Sequence, residues 1–405
     1  MDYTFSDKTS ALKPSAIREI LKAASIPGMI PFAAGNPAPE TFPTGQIAQI
    51  TERILREQPI PALQYGVTEG VSALLSEIKT QLVDPEGIGS DNDAMLVTSG
   101  AQQVMDLAAK VLCNEGDTVI CENPSFIGSL NCFRSYNANL VGVDLEADGI
   151  NIELLEDALK REKNVRFIYV IPNFQNPSGV TMSVEKRRAV YALAKKYNTL
   201  ILEDNPYGAL RVRGEFLPSI KSMDADGRVI YAGSLSKILA PGLRVGFALA
   251  PKEIIAKMTV GKQTSDVHTP ILSQMLACEW LRETDLQGHF MTIRDIYRRK
   301  MDLMCDLIDS EMRGFFRFQR PEGGLFVWCE LPQGVDMLKF CKRALKRMVA
   351  VVPGTAFSVD ENRPSSCVRM NFSTPADDRI IEGMKVLGKL RERYEKHIAA
   401  GKTDI

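Results

Sequence analysis

The sequence predicts an α/β protein: a large, mostly parallel sheet flanked by helices, followed by a small α+β unit. Three observations carry this. From about residue 47 to 285, short β-rich runs alternate with helical patterns. The runs are apolar throughout rather than at every second residue, as in strands buried on both faces. After residue 285 the alternation stops, and the pattern fits helices packed on a small, partly antiparallel sheet. The expected division is an N-terminal arm over 1–45, a large unit over 46–285 and a small unit over 286–405.

The arm is irregular and rich in Pro and Gly. One short helix is expected in it, from Ser15, a favoured N-cap, to about Lys22, with Ile17, Ile20 and Leu21 at helical spacing. In the large unit the strand runs are Met95–Thr98, Thr118–Glu122, Leu140–Val143, Phe167–Ile171, Leu200–Glu203, Val229–Ala232 and Val245–Ala250, which makes seven. Helical patterns cover Gln102–Cys113, Ile152–Arg161, Val184–Tyr197 and Thr269–Arg282. The small unit opens with a long helix around 285–311. Strands are then expected at Phe315–Arg320, Gly324–Glu330, Val349–Val352 and Cys367–Phe372, with helices near 335–348 and 376–399. There is no internal repeat and no low-complexity segment.

Composition excludes several classes. The chain has 405 residues, 45% hydrophobic, with a net charge of −1. That balance argues against a nucleic-acid partner or an acidic membrane surface. The basic residues Arg294, Arg298, Arg299 and Lys300 sit among apolar ones at helical spacing and read as a solvated helix face. The eight cysteines show no CxxC spacing and the three histidines are isolated, so neither a metal site nor a disulfide framework is expected. The start, Met1-Asp2-Tyr3-Thr4, lacks the basic and apolar regions of a secretory signal. No apolar run approaches the roughly 20 residues needed to span a bilayer. The expected location is the cytoplasm.

The most informative stretch is Ser234-Leu235-Ser236-Lys237, continuing through Pro241-Gly242-Leu243-Arg244. It follows a strand, so it lies at a carboxyl end, where open α/β sheets bind ligands. Lys237 stands among small and apolar residues, which lower an amine's pKa and suit a Schiff-base former. The serines and Arg244 are donors suited to a phosphate. A lone lysine after a strand is usually structural; the whole string argues otherwise. Asp204, in Glu203-Asp204-Asn205-Pro206-Tyr207, ends another strand and can pair with a protonated ring nitrogen. On its own it would read as a turn cap. Asn176 lies in a Pro-bounded turn, Pro172 to Gly179, that a plain loop would also explain. Thr98-Ser99-Gly100-Ala101-Gln102 joins a strand to a helix start, where free N–H groups favour an anion. Alone this last signal is weak.

These four segments occur in the order and spacing of fold-type I pyridoxal-phosphate enzymes. The chain resembles the class I/II aminotransferases, more closely their 2-aminoadipate and kynurenine aminotransferase II branch. Supporting segments are Pro14-Ser15-Ala16-Ile17-Arg18, Ala34-Gly35-Asn36-Pro37, Tyr65-Gly66, Pro321 to Phe326, Val352-Pro353-Gly354 and Arg369 to Ser373. The resemblance runs from about residue 14 to the final helix.

The resemblance implies pyridoxal 5′-phosphate as cofactor. Lys237 then corresponds to the Schiff-base lysine and proton shuttle, and Asp204 to the partner of the pyridine nitrogen. Tyr207 and Asn176 match ligands of the phenolic oxygen. Gly100, Ala101, Gln102, Ser234, Ser236 and Arg244 match the phosphate cup. Phe126 falls where an aromatic ring stacks on the cofactor, although a core Phe is its rival reading. Tyr65 resembles a tyrosine that reaches the neighbouring subunit's phosphate, which implies a homodimer with shared sites. Arg369 resembles the fork that grips the substrate α-carboxylate, beside Asn176 and Gly35, and Arg18 resembles a contact to the side chain. Two departures stand out. Ala101 offers only its backbone N–H, and Gln175 stands where some aminotransferases carry histidine.

The implied reaction moves an amino group between an L-amino acid and a 2-oxo acid such as 2-oxoglutarate. The donor range is broad: 2-aminoadipate, aromatic or aliphatic. The rivals are a C–S lyase or another reaction of the same fold, and a cofactor-binding regulatory protein. Arg369 favours transamination, because fixing the α-carboxylate leaves the Cα–H bond to break. A regulator would carry a DNA-binding unit, and the short arm holds no basic recognition helix.

Overall fold

Eight strands form one sheet in the order β1-β8-β7-β6-β5-β2-β3-β4. They are β1 Asp93–Thr98, β2 Thr118–Asn123, β3 Asn139–Glu146, β4 Gly149–Ile150, β5 Val165–Val170, β6 Leu200–Asp204, β7 Val229–Ser234 and β8 Gly246–Pro251. The structure is a computed structural model that describes residues 3–6, 8, 26–360 and 362–399. The helix expected at Ser15–Lys22, and Arg18 with it, lies outside the described residues.

The seven expected strands are all present. The eighth, β4, is a two-residue strand that folds back antiparallel on β3. A turn at Ala147-Asp148 and Gly149, at φ +123°, make that reversal possible. The pairs β3–β2, β2–β5, β5–β6 and β6–β7 are parallel. Burial explains their composition: every residue of β2 is buried, as are the last four of β5. β8 runs antiparallel to both β1 and β7. Only short turns lie between β7 and β8, the last a 3₁₀ turn at Pro241–Leu243, with no covering helix to carry a parallel crossover.

The register sets the ends of the central strands side by side. Val170 of β5 faces Glu203 of β6, and Asp204 of β6 faces Ala232 of β7. The turns that leave these strands therefore share one edge of the sheet. β1 also ends there, because Thr98 pairs with Gly246 and Gly246 pairs with Ser234.

A second sheet, order β11-β12-β10-β9, is antiparallel throughout. Its strands are β9 Arg317–Phe318, β10 Phe326–Glu330, β11 Val352–Pro353 and β12 Cys367–Asn371. All four are shorter than expected: β10 and β12 lose one or two residues of the expected run, β9 and β11 more. Of Phe315–Arg320 only Arg317–Phe318 pair. Phe315 and Phe316 instead turn into an aromatic cluster with Phe340, 6.3 and 5.7 Å between ring centres. Of Val349–Val352 only Val352 joins the ladder; Val349 bridges Ile30 of the arm.

The long helix Leu286–Leu307 connects the sheets and is capped by Asp285, whose carboxylate accepts from Gly288 N at 3.1 Å. One basic residue on it departs from the solvated face expected. Lys300 is buried and pairs with Glu40 at 2.9 Å while donating to Pro375 O. The main apolar cluster runs through both sheets and the arm, joining Leu202 and Ile230 to Val327, Val368 and Phe32. Among the described residues no helix is long and apolar enough to cross a membrane.

Candidate active site

Lys237 follows β7 in a short turn and is half-buried. Its Nζ donates to Gly35 O at 3.0 Å, which ties the arm to the end of the large sheet. Burial lowers this amine to about 8, helped by the positive charges of Arg244 and Arg369 and opposed by Asp204. About a tenth of it is therefore neutral at pH 7, far more than of an ordinary lysine, and the neutral form attacks a carbonyl.

Asp204 closes β6 and is 4% exposed. Its Oδ2 accepts from the Tyr169 phenol at 2.9 Å, whereas Oδ1 is buried with no partner. Burial raises this carboxyl to about 7, against the lowering effects of Tyr169 and Lys237. A buried carboxylate with an empty acceptor is costly unless a cationic or N–H group completes it.

Tyr207 and Asn176 meet beside it. Asn176 Nδ2 lies 3.5 Å from the Tyr207 hydroxyl, and both residues are buried. The turn that carries Asn176 is fixed by Gln175, whose amide donates to Pro124 O at 2.7 Å and to Glu122 at 3.3 Å. Arg369, on β12, crosses to this turn. Its Nη1 donates to Asn176 Oδ1 at 2.9 Å and its Nη2 to Ala33 O at 2.9 Å, while Nε has no partner. The guanidinium lies over Phe326, 4.2 Å from the ring centre, and burial lowers it to about 10.

The third group lies at the start of helix Ala101–Leu112. Gly100 precedes the helix at φ +77°, and any Cβ there would collide with Arg244 Nη2. Arg244 lies across this turn and donates to Ser99 O at 3.0 Å. Gly246 also keeps the turn close to β8: a Cβ would come within 2.9 Å of Ala101 N. The first amides of the helix, at Ala101 and Gln102, have no intrahelical acceptor and, with the helix dipole behind them, suit an anion. Ser234 and Ser236 lie on the β7 turn, where Ser234 Oγ accepts from Ser236 N at 3.1 Å.

Phe126, half-buried, packs beside Gln102. Gly128 makes room for both: a Cβ there would come within 2.7 Å of the Phe126 ring and of Gln102 Oε1. Tyr65 is not brought to the cluster. It is 81% exposed, with its ring edge against His268. Tyr169, Ser129 and Gly128 carry no sequence motif; only the contacts single them out.

This set fits a phosphorylated pyridine aldehyde. It offers a near-neutral amine, a buried carboxylate oxygen lacking its donor, and a glycine turn that a side chain would fill, with an arginine across it.

The family model for aminotransferase class I and II matches residues 27–384. The chain is 38% identical to an aromatic-amino-acid aminotransferase of Thermococcus litoralis, over 98% of this chain and 96% of that one. It is 37% identical to a 2-aminoadipate transaminase of Thermus thermophilus, over 95% and 96%. Among solved structures it superposes, at a TM-score of 0.88 and 37% identity, on the α-aminoadipate aminotransferase of Thermus thermophilus complexed with N-(5′-phosphopyridoxyl)-L-leucine. That match covers 96% of this chain and 97% of that one. The chain belongs to the class I and II aminotransferases.

Proposed function

We propose that this aminotransferase carries pyridoxal 5′-phosphate on Lys237 and moves an amino group between an L-amino acid and a 2-oxo acid such as 2-oxoglutarate. One arrangement carries the reading. The near-neutral Lys237 amine and the unpartnered Asp204 oxygen lie at the ends of neighbouring strands, with the Arg369 fork above them. The bound cofactor supplies an aldehyde to accept the amino group and a ring that delocalises the α-carbanion. Lys237 would hold the cofactor and serve as the base that takes the substrate's α-proton and returns it. Asp204 holds the ring nitrogen protonated. Tyr207 and Asn176 bond the phenolic oxygen. The amides of Ala101 and Gln102, with the Gly100 turn, Ser234, Ser236 and Arg244, would hold the phosphate, and Phe126 would lie against the ring.

Arg369 with Asn176 fixes the substrate α-carboxylate, and Gly35 lines the same space. Arg18 of the arm favours an acidic distal group, while the named relatives support both aromatic and 2-aminoadipate donors. A homodimer follows from Tyr65, which is largely exposed and in this reading reaches the partner's phosphate. The division into arm, large unit and small unit, at about residues 45 and 285, belongs to the same proposal. So does a cytoplasmic location, supported by eight unpaired thiols.

Half-reaction spectra across a panel of amino acids test this. Glutamate and 2-aminoadipate should convert the bound cofactor to its amino form and release one 2-oxo acid per site. Release of ammonia without that conversion would support a lyase instead.

A further inference from the structure

The two oxygens of Asp204 have different surroundings. Oδ2 accepts from the Tyr169 phenol, while Oδ1 is buried without a partner. Ser129 Oγ in turn donates to the Tyr169 oxygen at 2.9 Å. Ser129 and Tyr169 are fully inaccessible and Asp204 nearly so. Because the phenol oxygen already accepts from Ser129, its own proton is directed at Asp204. Burial and the neighbouring Asp204 charge push the phenol well above its ordinary pKa, so it remains a donor. The ring is fixed edge-on against Phe133 and lies 5.3 Å from it, centre to centre.

We propose that Tyr169, oriented by Ser129, is a positioning residue that holds Asp204 by one oxygen so that the other stays aimed at the cofactor's ring nitrogen. The inference rests on the proposed pairing of Asp204 with that nitrogen. A buried carboxylate held at a single point would otherwise be free to turn about its last bond. The other titrating groups facing Asp204 are Lys237, which favours its charge, Glu122, which opposes it, and the Tyr207 phenol, whose ionisation the Asp204 charge opposes. None of the three makes a hydrogen bond to it, so the Tyr169 phenol sets its orientation.

The test uses cofactor-loaded protein and four variants: Tyr169→Phe, Ser129→Ala, Asp204→Asn and the double variant Tyr169→Phe/Asp204→Asn. Phenylalanine keeps the ring, and so the contact with Phe133. The readout is the pH titration of the cofactor's visible absorption, with kcat and KM beside it. Asp204→Asn should shift the titration. Tyr169→Phe should shift it in the same direction by about one pH unit, with kcat about tenfold lower and KM unchanged. Ser129→Ala should give a smaller shift of the same sign. It removes only a hydroxyl, and carries the test should the Phe variant not fold. In the Asp204→Asn background, Tyr169→Phe should add nothing. A Tyr169→Phe titration that overlays the wild type while Asp204→Asn is shifted overturns the proposal alone. So do effects that simply add in the double variant. An unshifted Asp204→Asn overturns the proposal together with the pairing beneath it.

Discussion

Arg369 donates to Asn176 Oδ1 at 2.9 Å across a sequence separation of 193 residues, and so joins the small sheet to the turn that leaves β5. Its other terminal nitrogen is tied to Ala33 O, and the ring of Phe326 lies beneath. The planar fork is therefore oriented before a carboxylate arrives, and little ordering remains to be done on binding.

Replacing this fork by a point charge should be felt by every substrate alike. Arg369→Lys should raise KM about tenfold or more for aromatic, aliphatic and acidic amino acids, because one of two charge-assisted bonds is lost in each case. Steady-state kinetics on one donor of each type checks it. A rise confined to a single side-chain class would show that Arg369 reads the side chain rather than the α-carboxylate.

The glycine turn before helix Ala101–Leu112 has no room for a side chain. Gly100→Ala adds a strained positive φ and a collision with the Arg244 guanidinium. The expected result is a loss of about 1–2 kcal/mol of stability and at least tenfold weaker retention of pyridoxal phosphate. Equilibrium dialysis and thermal melts measure the two separately. Unchanged retention would mean that this turn does not hold the phosphate.

Asp204 should cost the cofactor-free protein stability. Burial raises its carboxyl to about 7, well above the unfolded value. Between the two values the native state binds a proton that the unfolded chain does not, so stability falls as pH rises from about 4 to 7. Asp204→Asn removes that penalty of about 4 kcal/mol but leaves an unpaired amide N–H, for a net gain of roughly 1–3 kcal/mol at pH 8. The gain should shrink toward pH 4. Urea denaturation of cofactor-free protein at several pH values is the measurement. A variant less stable than wild type at pH 8 would mean that the carboxylate is already compensated.

Much of this was readable in the residues, and the exceptions have physical causes. The large-sheet strands showed because double-sided burial forces continuous apolar runs, as in Val119-Ile120-Cys121. Asp204 showed because it ends such a run with a charged residue, and Lys237 and Asn176 because each lies in the polar or Pro-bounded turn just beyond one. The direction of β8 did not show in its own composition; it lies in the short connection from Ser234 to Gly246. Phe315 and Phe316 look like strand residues but pack with Phe340 and Tyr394, a tertiary choice that no local pattern encodes. Tyr169 looked like one more β-former inside a strand, and only the Asp204 oxygen opposite its hydroxyl sets it apart. Lys300 read as solvated because helical spacing alone does not reveal Glu40 across the fold.

The Lys237 amine should load with a particular pH dependence. With its ionisation lowered to about 8, the rate of pyridoxal-phosphate attachment should climb about tenfold per pH unit below 8 and level off above it. Stopped-flow absorbance follows this directly. A rate still climbing at that slope above pH 9.5 would mean an amine with an ordinary, solvated pKa.

The most direct measurement is borohydride reduction of cofactor-loaded protein followed by peptide mapping. The account predicts a coloured protein, loss of colour on reduction, and a phosphopyridoxyl label on Lys237 alone, absent in Lys237→Ala. A protein that stays colourless with added pyridoxal phosphate, or a label fixed on another lysine, would contradict it.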